Sequence, residues 1–250
     1  SICTGEELLS ANALSSVTWS LMLSIGSAAG GLIVDRFGLG TAFLIDACTF
    51  FVSAWFVFGV DVPRRQQVAA RQEPRVLRDL TIGIRYTLRE PSIRSLVLVK
   101  TGVGLASGMV LLLTVLGGSD FRVGSGTAAG IGMLFFARGL GTAIGPFVGR
   151  AISGYYEPEM RRLIGVAFVQ AACFLVGFGL VPSFPIAVLL LVIGHIGTSI
   201  NWVFSTVLLQ LKVPDELRGR VFSAEMFFFT LVFCVVTRLT GYALDVLDMQ

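Results

Sequence analysis

The sequence predicts an all-α integral membrane protein, a bundle of about seven transmembrane helices with one amphipathic helix between two groups of spans. Three observations predict it. Of 250 residues, 54% are hydrophobic and only 14% charged, against about 25% charged in soluble domains, and the mean hydropathy is +0.82. The apolar residues gather into runs of about 20, the length a helix needs to cross a ~30 Å hydrocarbon core. Those runs lack the dyad alternation of barrel strands, so the backbone groups that lipid cannot satisfy must bond within helices.

Seven runs meet that ruler: 11 to 34, 40 to 60, 95 to 117, 126 to 149, 163 to 181, 185 to 209 and 220 to 244. Between the second and third lies the one long polar stretch, 61 to 94, with 12 of the 35 charges. It opens on an arm, Pro63-Arg64-Arg65-Gln66-Gln67, and then turns periodic. Leu77, Leu80, Ile84 and Leu88 recur at helical spacing, with Arg75, Arg78, Asp79, Arg85 and Arg89 elsewhere on the helix. Pro74 suits its first turn and Pro91 ends it. Two readings stay open: the helix lies on an anionic leaflet, or it packs beneath the bundle as a spacer. Either way the stretch divides the chain into 1–60, the end of an N-terminal bundle, a linker at 61–94, and 95–250, a C-terminal bundle.

Basic residues set the orientation. The linker holds eight arginines, the loop at 150 to 162 three, and 210 to 220 holds Lys212, Arg218 and Arg220, whereas the alternate loops hold only Arg36 and Arg122. Fourteen against two places residue 1 and the linker in the cytoplasm of a multi-pass protein of the cell membrane. Ser1 is not an initiator methionine and the last residues follow a span closely, so further spans of the same full-length chain are expected on both sides. Cys3, Cys48, Cys173 and Cys234 form no CxxC pair and read as small buried hydrophobes, with no metal or disulfide framework.

A repeat joins the two groups of spans. Glu6-Glu7-Leu8 enters the first run and Asp215-Glu216-Leu217 the seventh; Gly31-Leu32-Ile33-Val34-Asp35 is echoed by Gly241-Tyr242-Ala243-Leu244-Asp245. Parallel halves of this kind occur in transporters. Gly26-Ser27-Ala28-Ala29-Gly30-Gly31 resembles the G-P-x-x-G-G motif on the fifth helix of major facilitator superfamily exporters, with Ser27 in place of proline. The entry segment from Glu6 to Leu14 and the loop Val213-Pro214-Asp215-Glu216-Leu217-Arg218-Gly219-Arg220-Val221 resemble the corresponding pieces of the branch with siderophore and macrolide exporters. The resemblance implies a partial major facilitator-type bundle, helices five to eleven of twelve. The loop from Gly149 to Arg162 echoes the family's gating loop only in outline, with Ser153 where the acid would stand.

Ionisable groups inside a span are costly and mark candidate sites. Arg138 falls about twelve residues into its run, near the bilayer centre, where it would bind an anionic substrate group or hold a carboxylate. Asp46 lies near the far end of the second run as a candidate proton carrier. His195, at the middle of its run, and Asn201, on a different helix face, are candidates for the same pathway or for packing hydrogen bonds. Lys100 and Glu225, near linker-side ends, form an inner gate if their helices touch, and otherwise are solvated ends. Gly26, Gly30 and Gly31 and the four-residue repeat Gly141, Gly145 and Gly149 permit close helix packing or a rocking surface.

These features predict a secondary transporter, a proton-coupled exporter of a small amphipathic molecule working by alternating access. Its partners are that substrate, protons, the lipid bilayer and the remaining helices of the chain. No phosphate-cradling loop predicts direct use of ATP, no cluster of metal-binding or nucleophilic spacing predicts an enzyme or a cofactor, and no basic stripe predicts nucleic acid. The alternatives are a seven-helix receptor, which the cytoplasmic start disfavours, and a structural or lipid-handling membrane protein.

Overall fold

The computed structural model describes residues 5–59, 76–121 and 128–246, and helices are the only regular elements among them. In chain order they are α1 (Gly5–Phe37), α2 (Leu39–Phe58), α3 (Val76–Arg89), α4 (Pro91–Gly104), α5 (Gly108–Gly118), α6 (Ala128–Ser153), α7 (Glu157–Leu180), α8 (Phe184–Lys212) and α9 (Asp215–Val246). With α4 and α5 taken as one interrupted span, seven segments are long and apolar enough to cross a membrane. The protein is therefore a multi-pass, all-α membrane protein. Each expected run matches a helix, but α4, α7 and α9 begin four to six residues earlier than hydropathy indicates. The early turns are polar for a reason: Glu157 and Glu159 in α7 and Asp215 and Glu216 in α9 sit where the helix dipole favours negative charge. Pro91 both ends α3 and opens α4. Pro63, Pro74, Cys3, Arg64, Arg65, Arg75 and Arg122 lie outside the described residues.

The third span departs from the sequence reading. Around Leu105, Ala106 and Ser107 the backbone bonds shorten to i→i−3, with Leu105 N to Gly102 O at 3.1 Å, Ala106 N to Val103 O at 3.0 Å and Ser107 N to Gly104 O at 3.1 Å. Gly102, Gly104 and Gly108 flank the break, where helix propensity is lowest. Ser107 Oγ donates to the Phe233 carbonyl at 3.1 Å, fixing the interruption against α9.

Two apolar cores lie toward opposite ends of the bundle. The linker-side core joins Leu96 and Val97 of α4, Met160 and Ile164 of α7, Phe204 and Leu208 of α8 and Val221 of α9. The other joins Leu113, Leu134, Phe178 and Leu191. Between them polar side chains are interleaved with apolar and aromatic ones, and there the candidate site forms.

Helix–helix contact in lipid rests on close approach more than on hydrophobic burial, and α6 achieves it on two faces. Toward α8, a Cβ at Gly145 would stand 2.7 Å from the Ile196 carbonyl oxygen, one at Gly149 2.9 Å from Phe204, and one at Gly141 would collide with the Val192 carbonyl. Toward α1 the small residues are different: Gly132 faces the Ser27 carbonyl, 2.7 Å from a built Cβ, and Gly139 faces Ser20 and Ser24. A Cβ at Gly31 would stand 2.6 Å from the Ala128 carbonyl oxygen. The Asp35 carboxylate then accepts from the backbone N–H of Ala129 at 2.9 Å and of Ala128 at 3.3 Å, capping the start of α6. At the other end of α1, Asn12 Nδ2 donates to Gln210 Oε1 of α8 at 2.7 Å.

Two expectations need correction, those for Gly26 and Gly30 and those for the cysteines. The Gly141, Gly145 and Gly149 repeat packs closely on α8 and the seam with α1 uses Gly132 and Gly139, whereas Gly26 and Gly30 have no atom within 4 Å of a built Cβ. Cys48, Cys173 and Cys234 are exposed rather than buried, because an apolar side chain facing lipid needs no protein around it. On α3, which docks on α9 and α4, Gly83 and Thr87 are buried, Leu80 and Ile84 are half-buried, and Leu77 and Leu88 are exposed.

Pro146 lies inside α6 and has no N–H for the Thr142 carbonyl four residues earlier. That carbonyl instead accepts from Ser199 Oγ of α8 at 2.7 Å. Ser199→Ala is expected to lower unfolding stability by about 1 kcal/mol. In a Pro146→Ala background, where the α6 ladder is restored, thermal unfolding of the detergent-solubilised protein should show that cost largely removed. An equal cost in both backgrounds contradicts the assignment.

Candidate functional site

A cavity of about 640 Å³ opens between α1 and helices α4 to α9. α1 supplies Asn12, Ser15, Ser16 and Trp19; α6 supplies Arg138 and Thr142; α8 supplies His195, Thr198, Ser199, Trp202 and Thr206. The broken span contributes Ala106 and Ser107, and Phe229 and Phe233 of α9 complete an aromatic wall. The lining thus combines one cation, a set of hydroxyls and large aromatic faces. An interrupted helix beside such a cavity is the setting in which irregular backbone is tolerated at membrane depth.

Arg138 stands ten residues, about 15 Å, from the start of α6, and His195 eleven residues, about 16 Å, from the start of α8. Both helices begin on the face away from the linker, so the two side chains share a level. The Arg138 guanidinium lies 6.0 Å from the Phe135 ring centroid. Among the described residues no carboxylate comes within ion-pair distance of it. A guanidinium facing a cavity, with no carboxylate in reach among the described residues, leaves its donors for an anion. His195 is buried, and its Nδ1 lies 2.9 Å from the Leu191 carbonyl oxygen. A carbonyl only accepts, so Nδ1 carries the proton and Nε2 is the remaining nitrogen.

Lys100 and Glu225 meet. Their Nζ and Oε2 atoms are 2.8 Å apart, with side chains 4% and 0% exposed. The sequence reading set them near helix ends, but each lies nine or ten residues into α4 or α9, roughly 14 Å along the axis, too deep for a solvated head. The Lys100 ammonium also sits 4.6 Å from the centre of the Trp202 ring. Trp202 in turn packs edge-on against Phe229, 5.2 Å between centroids, and both rings line the cavity. The ion pair is therefore one ring removed from the cavity, on its linker side. Glu225 Oε1 is buried and has no hydrogen-bond partner among the described residues.

Two candidates fall outside this arrangement. Asp46 is exposed on α2, which packs mainly against α1, and lines no part of the cavity. Asn201 is fully buried with neither amide atom partnered among the described residues and also lies off the cavity, because six residues turn it away from the His195 face. Sequence reasoning missed the α1 wall of Ser15, Ser16 and Trp19 and the α5 entry at Ser107. The serine spacing along α1, with Ser16, Ser20, Ser24 and Ser27, was the available signal for a polar face.

A family model described as Major Facilitator Superfamily matches residues 1–237. The chain is similar to the enterobactin exporter EntS of Escherichia coli O1:K1 / APEC and to that of Shigella boydii serotype 18, each 25% identical over 217 residues, covering 86% of this chain and 50% of the relative. It thus spans about half the length of the curated relatives it matches. No solved structure gives a significant match. With the family model covering nearly the whole chain and a membrane-spanning, all-α fold to carry it, the chain belongs to the Major Facilitator Superfamily.

Proposed function

We propose that the chain forms part of a secondary transporter that exports a small amphipathic molecule with an anionic group, coupled to protons, by alternating access. The single observation that carries this reading is the Arg138 guanidinium, free of any carboxylate among the described residues and facing a cavity of about 640 Å³ with aromatic walls. The anionic group would take the guanidinium, and the apolar body would lie against Trp19, Trp202 and Phe233. α1 and α2 are read as the end of an N-terminal bundle, α4 to α9 as the C-terminal bundle, and the cavity as lying at their junction. Further helices of the full-length chain would complete the other wall.

The export direction is supported by the relatives' names as exporters. Fourteen of the basic residues on one side support a cytoplasmic linker in the cell membrane. Coupling is assigned to the Lys100–Glu225 pair: protonation of Glu225 would release Lys100, a change of field felt in the cavity across the Trp202 ring. Cells expressing the intact transporter are expected to expel fluorescent aromatic carboxylates faster than size-matched aromatic amines, and an uncoupler should stop the expulsion. Preference for the amines removes the anion site, and efflux unchanged by the uncoupler removes the proton.

A further inference from the structure

We propose that α3 is a docking surface for the headgroups of anionic phospholipids, independent of the transport cavity. Three arcs of this helix are occupied differently. At about 100° per residue, Asp79, Gly83 and Thr87 share one arc and meet the bundle. Asp79 Oδ1 accepts from Arg220 Nε at 2.9 Å, and a Cβ at Gly83 would collide with the Arg220 carbonyl oxygen. Thr87 is buried.

Leu77 and Leu88 lie about 20° apart on a second arc and are 80% and 54% exposed. Arg78, Arg85 and Arg89 fall within about 40° of one another on the third arc. All three are exposed, and among the described residues none pairs with a carboxylate.

Depth follows from α9. Between Arg220 and Arg238 that helix carries a single charged residue, the buried Glu225, so Arg220 marks its entry into hydrocarbon. The backbone contact of Gly83 with Arg220 therefore holds α3 at headgroup level. A helix anchored there by one arc, with leucines beside it and three unpaired arginines beyond, matches an interface that is apolar below and phosphate-rich at its surface. Among the described residues no carboxylate pairs with these arginines, so the complementary charge is the lipid phosphate. Each arginine near an anionic surface favours docking by roughly fivefold, and the three together by up to about a hundredfold.

The test uses the intact transporter with Leu88→Cys as its only cysteine, carrying an environment-sensitive fluorophore. It is reconstituted in vesicles of phosphatidylcholine alone or mixed with phosphatidylglycerol. Emission is expected to shift to shorter wavelength with phosphatidylglycerol, and to shift back in 1 M salt, where the Debye length falls to about 3 Å. R78Q/R85Q/R89Q should lose the shift and keep the phosphatidylcholine baseline; the salt response of the protein with its arginines intact stands as evidence even if that variant misfolds. Identical emission in the two vesicle types overturns the proposal. So does short-wavelength emission in detergent as well, which would mean that polypeptide covers the leucines, and so does a shift reproduced by inorganic phosphate on phosphatidylcholine vesicles.

Discussion

Arg138→Ala is expected to lower efflux of anionic substrates roughly a hundredfold while leaving membrane insertion and thermal stability nearly unchanged. The two halves of that expectation have one physical source. A charged group truncated opposite a desolvated partner costs about 3 kcal/mol or more, which is at least two decades in affinity. In this protein the partner is proposed to be the substrate, because no carboxylate stands within ion-pair distance of Arg138 among the described residues. Removing the guanidinium strands no buried acid, and the protein itself loses only a contact with Phe135 at 6.0 Å, an interaction of about 0.5–1 kcal/mol at most. Arg138→Lys should fall between, since it keeps the charge and loses the planar fork that receives a carboxylate bidentately. Efflux and unfolding temperature measured on the same preparations separate the outcomes. A stability loss as large as the transport loss would recast Arg138 as structural, and wild-type efflux by the alanine variant would remove it from the site.

The spans and the depth of Arg138 were legible in the sequence because both depend on length and local composition. What sets helix rotation was not. In α3 the apolar periodicity of Leu77, Leu80, Ile84 and Leu88 left two placements open, on the leaflet or beneath the bundle, and did not say which residues would touch protein. The backbone of Arg220 demanded the residue without a side chain, so Gly83 makes the contact and Leu77 and Leu88 are left out. In a membrane the solvent for an apolar face is also apolar, so hydrophobic pattern loses its power to say which side meets protein. Close approach decides instead, and glycine spacing reports it imperfectly. Gly141, Gly145 and Gly149 announced themselves by a strict four-residue repeat, but the seam with α1 depends on Gly132 and Gly139, seven residues apart and interleaved with larger side chains.

The candidate site was partly legible for a related reason. Ionisable residues within apolar runs are visible in one dimension, so Arg138 and His195 were singled out at mid-depth and Lys100 and Glu225 near helix ends. Pairing is not, and the sequence gives no register by which Lys100 and Glu225, 125 residues apart, would meet at 2.8 Å. The same holds for Pro146: the proline is plain in the sequence, but the hydroxyl that takes up its orphaned carbonyl comes from a different helix.

The Lys100–Glu225 pair carries the other large expected effect, and here stability should fall together with transport in each single variant and part from it only in the double one. Replacing Lys100 by Met leaves a carboxylate with 0% side-chain exposure and no counter-charge, a loss of about 3–5 kcal/mol for a broken buried pair. Glu225→Leu strands the ammonium instead, relieved only by the Trp202 ring at 4.6 Å. The double substitution removes both charges along with the desolvation each one suffers, so it should recover most of the stability lost in either single variant. Transport should not recover. With no carboxylate to take a proton and no ammonium to release, the cavity loses the change of field assigned to coupling, and uncoupler-sensitive efflux should be absent from all three variants. Thermal unfolding decides the first half and efflux against a proton gradient the second. If the stable double variant still pumps against its gradient, the pair is a structural device and the proton travels elsewhere; if it binds substrate but equilibrates it passively, coupling has been separated from recognition at the two groups the fold brings together.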